Sequence, residues 1–186
     1  MDNWKTISYG DSIDLKIFTA RWVGRENPRT NKKADFIILD SKDWVNVIPI
    51  TKDNKIVLVQ QYRHGIDNIT LEIPGGLIDE GETPENAGKR ECIEETGYAS
   101  DKELILLGIT RPNPAFLNNK CYSFLWYDVD KKYEQKFDTN EEIEIILKDI
   151  NEIENLIKEG RINHSIVLNA FLFYFLYEKE QGKWVK

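Results

Sequence analysis

Three glutamates, Glu91, Glu94 and Glu95, stand at positions i, i+3 and i+4 of a segment that reads as a helix, Thr83 to Thr96. That spacing puts all three carboxylates on one helix face. Like charges so placed repel one another and weaken an isolated helix. Carboxylates converging on one spot are also the oxygen-rich donor set that Mg²⁺ or Mn²⁺ prefers, and bound ions remove the repulsion. Taken alone, Glu-x-x-Glu-Glu reads more readily as a solvated acidic face. The flanking residues shift the balance. Gly75-Gly76 supplies a turn whose backbone can approach a ligand or metal closely. Glu82 precedes the helix, and Arg90, beside Glu91, can hold carboxylates by bidentate hydrogen bonds.

The helix that carries these groups has readable ends. Thr83 is placed as its N-cap, Pro84 takes the first helical position, where a missing N–H costs nothing, and Gly97 follows the last turn. Ahead of it, residues 44–50 and 55–60 flank Thr51-Lys52-Asp53-Asn54 and predict a hairpin. Leu71-Glu72-Ile73 predicts a short strand running into Pro74-Gly75-Gly76. After it, residues 104–109, 122–129 and 142–147 predict strands, and 150–158 a helix stopped by Gly160. Residues 165–178 predict a closing helix with Ser165 as N-cap. In the first forty residues, Ile13–Phe18 and Phe36–Leu39 read as short strands about a turn near Gly24–Asn31. This β segment is too small for a core of its own and is expected to lean on the main domain or on a second subunit. The division is therefore 1–42, a small N-terminal β segment, and 43–186, the main domain. Strands mixed with a few helices predict an α/β fold, a mixed sheet covered by helices.

The 186 residues are 41% hydrophobic and 31% charged, enough apolar content for a core and too much for disorder. A net charge of −7 argues against a general electrostatic grip on nucleic acid. An acidic chain that handles anions needs local cations, and metal ions are the obvious ones. Two cysteines, Cys92 and Cys121, form no disulfide framework and fit a reducing cytoplasm. The N-terminus has no signal-peptide pattern. The longest apolar stretch, Ile166–Tyr177, is interrupted by Asn169 and falls short of the roughly 20 residues of a membrane span.

Written out, the segment runs Gly76, five residues, Glu82, seven residues, then Arg90-Glu91-Cys92-Ile93-Glu94-Glu95-Thr96-Gly97-Tyr98. This resembles the Nudix box, G-x5-E-x7-R-E-U-x-E-E-x-G-U, with U a bulky aliphatic. Every fixed position is matched; Cys92 and Tyr98 at the two U positions are mild departures outside the metal chemistry. The resemblance implies the Nudix α/β/α sandwich and hydrolysis of a nucleoside diphosphate linked to another group. By position it implies Glu91 and Glu95 as principal metal ligands and Glu94 as a further ligand or water-orienting group. It also implies the Gly75 carbonyl as a backbone ligand, with Gly76, Glu82 and Arg90 supporting the site. The implied cofactor is Mg²⁺, with Mn²⁺ able to substitute.

The flanks are similar to the ADP-ribose pyrophosphatase and nucleotide-sugar hydrolase branch of that family. Gln61-Tyr62-Arg63 leads to Leu71-Glu72-Ile73-Pro74-Gly75-Gly76, and Pro114 lies sixteen residues past the box. The N-terminal strands resemble the small domain that these enzymes exchange or pack across a homodimer. The resemblance implies a cytoplasmic homodimer that cleaves ADP-ribose or a related nucleoside diphosphate sugar to a nucleoside monophosphate and a sugar phosphate, with no nucleic-acid or membrane partner. Arg63, then Arg111, are the candidates for a phosphate contact, because a guanidinium suits phosphate oxygens. Glu141, in Asp138-Thr139-Asn140-Glu141-Glu142, is the candidate general base. Thr139 stands where some relatives carry a glutamate, so a box carboxylate or a metal-bound hydroxide is the alternative base. His64 and His164 read as structural, His164 as packing at a helix start. Trp44, Trp126, Phe171, Phe173, Tyr174 and Phe175 read as core, and Trp22 as buried area or a base-stacking surface across a dimer. Rival substrates are GDP-mannose-type sugars, FAD or NADH, and capped nucleotides. Rival classes are a silent nucleotide-binding sensor and a dimeric scaffold; the intact glutamate cluster argues for the enzyme.

Overall fold

Side chains on the central strands alternate between two apolar layers, and that alternation decides the architecture. The computed structural model describes residues 2–136 and 142–182 and divides into two units, one taking in the chain up to Asp43 together with Arg111–Lys120, the other Trp44–Thr110 with the chain from Cys121 on.

The first unit is an antiparallel meander of β1 (Lys5–Asp14), β2 (Thr19–Glu26) and β3 (Lys33–Asp40). Its first strand is not the expected Ile13–Phe18. Strand β1 is a largely polar run exposed along its whole length, so no burial pattern announces it. The apolar residues Leu15 and Ile17 lie in the turn that follows, where Lys16 takes a positive φ of 68°. Gly24 sits inside β2 rather than in a turn, opposite Ser8 of β1. The reversal falls at residues 27–32, where the Asn27 side chain accepts from the Arg29 and Thr30 amides and Asn31 is left-handed. Trp22 is exposed on this sheet.

The second unit contains β4 (Trp44–Thr51), β5 (Lys55–Arg63), β6 (Asn68–Glu72), β7 (Gly75–Leu77), α1 (Pro84–Thr96), β8 (Tyr98–Ala99), β9 (Ile105–Thr110), β10 (Cys121–Lys131) and β11 (Ile143–Asp149). A 3-10 turn (Ile150–Glu152) then leads into α2 (Ile153–Lys158) and α3 (Ser165–Glu180). Its sheet runs β11-β5-β4-β10-β8, with β6 on β5, β7 on β4 and β9 on β10. Strands β4 and β10 are parallel and the other pairs antiparallel, so the sheet is mixed. Val45, Val47, Val57, Phe124 and Trp126 face Ala87 and Cys92 of α1. Ile48, Ile50, Ile56, Leu58 and Leu125 face Ile153, Leu156, Phe171 and Tyr174 from α2 and α3. The chain thus forms the expected α/β/α sandwich, with the small antiparallel sheet of the first unit beside it in sequence.

The expected β4–β5 hairpin forms, though with little pairing, and one helix cap is corrected. The β4–β5 turn closes with Thr51 Oγ1 accepting from the Lys55 amide, but the pair is joined only at Ile50 and Ile56. The strands then diverge, β5 to pair with β6 and β11, β4 with β7 and β10. Ser165 is the first residue of α3, not its cap; the N-cap is His164, whose side chain makes no capping bond. Among the described residues no helix is long and apolar enough to cross a membrane. Neither cysteine is in a disulfide, and both are buried.

Candidate active site

Helix α1 is held at both ends and clamped along one side. Thr83 Oγ1 accepts from the Asn86 amide at 3.2 Å, and Gly97, left-handed at φ 73°, donates its N–H to the Ile93 carbonyl. Ala87, Gly88, Cys92 and Thr96 are buried. A Cβ on Gly88 would press within 3.2–3.3 Å of Val45, Val47 and Leu104, so the helix lies tight against β4. Burial pushes the Cys92 thiol up to about 12, with the Glu95 charge adding and Thr96 opposing, so Cys92 packs as a neutral thiol.

This clamp turns the glutamates toward β7. The Gly75 N–H donates to Glu95 Oε2 at 3.0 Å, and Glu95 is buried. Gly76 lies so close to Glu91 that an added Cβ would stand 2.5 Å from its carboxyl carbon. Arg90 braces the group. Its Nη1 donates to Glu91 Oε1 (2.7 Å) and Glu94 Oε2 (3.1 Å). Its Nε and Nη2 take both oxygens of Glu82 (3.1 and 3.0 Å), and Nη2 also reaches the Leu77 carbonyl (2.9 Å). The hydrogen bond from Arg90 holds the Glu82 carboxyl below its ordinary range, and the Glu82 bond in turn raises Arg90, so both stay charged.

The result is a cavity of about 380 Å³ into which Gly75, Gly76, Arg63, Arg90, Glu91, Glu94 and Glu95 all project a surface. Three carboxylates beside an open backbone are a hard, all-oxygen donor set suited to a divalent cation. Glu91 and Glu94 share Arg90, Glu95 holds the Gly75 amide, and among the described residues no three acidic, histidine or cysteine side chains share one coordination sphere as they stand. Lys136 also lines this cavity, a residue that the sequence does not single out. The Lys136 amide donates to the Glu94 carbonyl, and the Gln135 side chain to the Glu95 carbonyl, tying this segment to the end of α1. Arg111 belongs to the first unit, where Nη1 donates to the Asn118 carbonyl. Glu141 lies outside the described residues.

Arg63 is paired with a buried carboxylate. Its Nε and Nη2 each donate at 2.8 Å to an oxygen of Glu72, whose side chain is 3% exposed. Thr70 Oγ1 donates to Glu72 Oε1 at 2.6 Å, and His164 Nδ1 lies 2.8 Å from Oε2. Burial alone would raise this carboxyl; the hydrogen bonds from Arg63 and His164, the Arg63 charge and Thr70 outweigh it and hold it well below the carboxylate range. Arg63 also lines a second cavity of about 650 Å³ together with Tyr62, His64, Ile66 and His164. The sequence reading gives Glu72 no role and His164 only a structural one at a helix start. The available signal was an acidic residue inside the apolar strand Leu71-Glu72-Ile73, which needs a partner if buried.

The model of the NUDIX domain matches residues 41–171. The chain belongs to the Nudix family. Its box, from Gly76 to Tyr98, is the β7–α1 unit just described. This Nudix chain is 33% identical over 158 residues to the methanol dehydrogenase activator of Bacillus methanolicus, covering 84% of this chain and 83% of that one. It is 27% identical over 175 residues to the ADP-ribose pyrophosphatase of Bacillus subtilis, covering 94% and 91%. A crystal structure of an ADP compounds hydrolase shares its fold, with a TM-score of 0.88 and 20% identity over 99% of this chain and 98% of that one. Nudix hydrolases in general work with a divalent metal, which agrees with the donor set of the cavity.

Proposed function

We propose that this Nudix protein is a metal-dependent pyrophosphohydrolase that cleaves ADP-ribose or a related nucleoside diphosphate sugar to a nucleoside monophosphate and a sugar phosphate. The observation that carries the reading is one cavity walled by the three box carboxylates, with the Arg63 guanidinium on the same surface. The similarity to an ADP-ribose pyrophosphatase over 94% of the chain supports the substrate class.

Glu91 and Glu95, with Glu94 and the Gly75 carbonyl, are the groups that hold the metal, Mg²⁺ with Mn²⁺ able to substitute. When bound, the metal neutralises the diphosphate and lowers the pKa of the attacking water. Arg63 takes non-bridging phosphate oxygens and orients the diphosphate. Arg90, fixed by Glu82, keeps Glu91 and Glu94 in place, as a hydrogen-bonded outer layer does for metal ligands generally. Two carboxylates are the candidates to accept the water proton: Glu141, on the resemblance alone, and Glu94, the most exposed of the three box glutamates. The reaction forms one P–O bond to water and breaks the bridging P–O bond. Two cysteines outside any disulfide fit a reducing cytoplasm. The exposed Ile7, Tyr9, Trp22, Phe36 and Ile37 of the small sheet support its use as a homodimer contact. A concentration-independent monomer mass by sedimentation would remove the dimer from this reading.

The test is a panel of ADP-ribose, other nucleoside diphosphate sugars, FAD, NADH and capped nucleotides, each with Mg²⁺ or Mn²⁺, with products identified by chromatography. Release of AMP and ribose 5-phosphate from ADP-ribose is expected. Binding of these compounds without hydrolysis of any would replace the enzyme with a nucleotide sensor. Hydrolysis in ¹⁸O-labelled water identifies the phosphorus attacked.

A further inference from the structure

Arg63 is the last residue of β5, and its side chain is 43% exposed. An arginine in that position has many rotamers open to it. The bidentate pair with Glu72 selects one of them and sets the plane of the guanidinium. A shift of that carboxylate therefore shifts the plane. Glu72 is pinned from two sides: Thr70 on Oε1, from its own strand, and His164 on Oε2, from the start of α3, 92 residues away.

His164 gives something up to be there. An N-cap side chain ordinarily accepts a hydrogen bond from the first turn of its helix. His164 makes no such bond, and its ring turns to Glu72 instead. Its backbone is held, because the Val167 and Leu168 amides donate to its carbonyl, and Val167, Ala170 and Phe171 are buried in the core. Glu72 remains ionised, so Nδ1 acts as the donor in both the neutral and the protonated ring. The contact therefore needs no protonation event.

We propose that His164 is a positioning residue: it holds Glu72 in one orientation and thereby fixes the Arg63 guanidinium in the wall shared by the two cavities, facing the diphosphate. This rests on the reading of Arg63 as a phosphate contact. The occupant it prepares for is a diphosphate whose metal-bound oxygens lie in the carboxylate cavity.

The test uses full-length His164→Ala, His164→Asn, Arg63→Ala and the His164→Ala/Arg63→Ala double variant, with thermal midpoints recorded for each. Asparagine can place a donor where Nδ1 stands. With ADP-ribose, His164→Ala should raise KM about five- to tenfold with kcat within about twofold, His164→Asn should stay within about twofold of wild type, and the double variant should be no worse than Arg63→Ala. In ¹⁵N NMR without substrate, the Arg63 Nε–H signal should be sharp in wild type and His164→Asn, and broadened by exchange in His164→Ala. Multiplying effects in the double variant, an unchanged Arg63→Ala KM, or a sharp Arg63 signal in His164→Ala would each overturn the proposal. The NMR signal needs no turnover, so it judges His164 even if ADP-ribose proves not to be a substrate.

Discussion

Gly76 and Glu91 are in contact across the mouth of the cavity: a Cβ on the glycine would stand 2.5 Å from the glutamate's carboxyl carbon and Oε1. Gly76 cannot retreat, because it is paired with Val45 in the β7–β4 ladder. The carboxylate must move instead, which disturbs its bond from Arg90 Nη1. Gly76→Ala is expected to lower kcat/KM for ADP-ribose by about a hundredfold or more, in line with disturbing metal-site architecture. The stability loss should stay near the 1–3 kcal/mol typical of local overpacking. A folded Gly76→Ala protein with near-normal kcat/KM would contradict the placement of Glu91 at the reacting centre.

Arg90 makes five hydrogen bonds, to Glu82 twice, Glu91, Glu94 and Leu77. A lysine keeps the charge but has one nitrogen and no planar fork. Arg90→Lys should therefore leave Glu82 or the box glutamates unbraced and reduce kcat/KM about 10–100-fold. The metal concentration giving half-maximal activity should rise. Unchanged metal dependence would show that charge alone is what Arg90 contributes.

The pairing of Glu72 makes a pH-dependent contribution to stability. Its folded pKa is depressed below the ordinary 4.5. The stabilisation is therefore fully present above about 4.5 and is lost as the pH falls through the folded value. Glu72→Gln removes the charge that Arg63 and His164 address. It should lower unfolding free energy at pH 7 by about 2–3 kcal/mol, the scale of hydrogen bonds to a charged group. Its stability should also fall less steeply than wild type on acidification below 4.5. Urea unfolding at pH 7 and at a series of acidic values checks both; identical slopes for the two proteins would mean that Glu72 is not depressed.

The parts of the molecule that were legible in advance are those whose constraints are local. Thr83, Pro84 and Gly97 bound α1 because capping is decided within four residues of a helix end. Strands β4 and β10 show themselves as apolar runs because both faces are covered. Strand β1 hides because all ten of its residues are exposed and nothing forces alternation. The apolar Ile13, Leu15 and Ile17 mislead for the converse reason: they are exposed, Ile13 near the end of β1 and the other two in the turn that follows. The carboxylate cluster is visible because helical spacing alone puts it on one face. The Arg63–Glu72–His164 chain is not, since only the closing of α3 over the sheet brings His164 to Glu72. Lys136 reaches the cavity through backbone bonds to α1 that no residue pattern announces.

Glu95 allows the metal reading to be separated from the fold. Its Oε2 accepts from the Gly75 amide, and a glutamine can offer its carbonyl oxygen to that same N–H. Glu95→Gln should therefore keep the β7–α1 contact and stay within about 1 kcal/mol of wild type, as a bond-conserving change. What it loses is a charged oxygen donor, which a hard divalent cation favours over an amide. Turnover of ADP-ribose should fall at least about a hundredfold. Mg²⁺ or Mn²⁺ should raise the thermal midpoint of wild type by mass action and that of the variant much less at the same concentration. Chelation should abolish wild-type activity, and added metal should restore it. A folded Glu95→Gln protein with full turnover and an undiminished metal-induced shift would mean that the cation, and with it the diphosphate, is held by other groups.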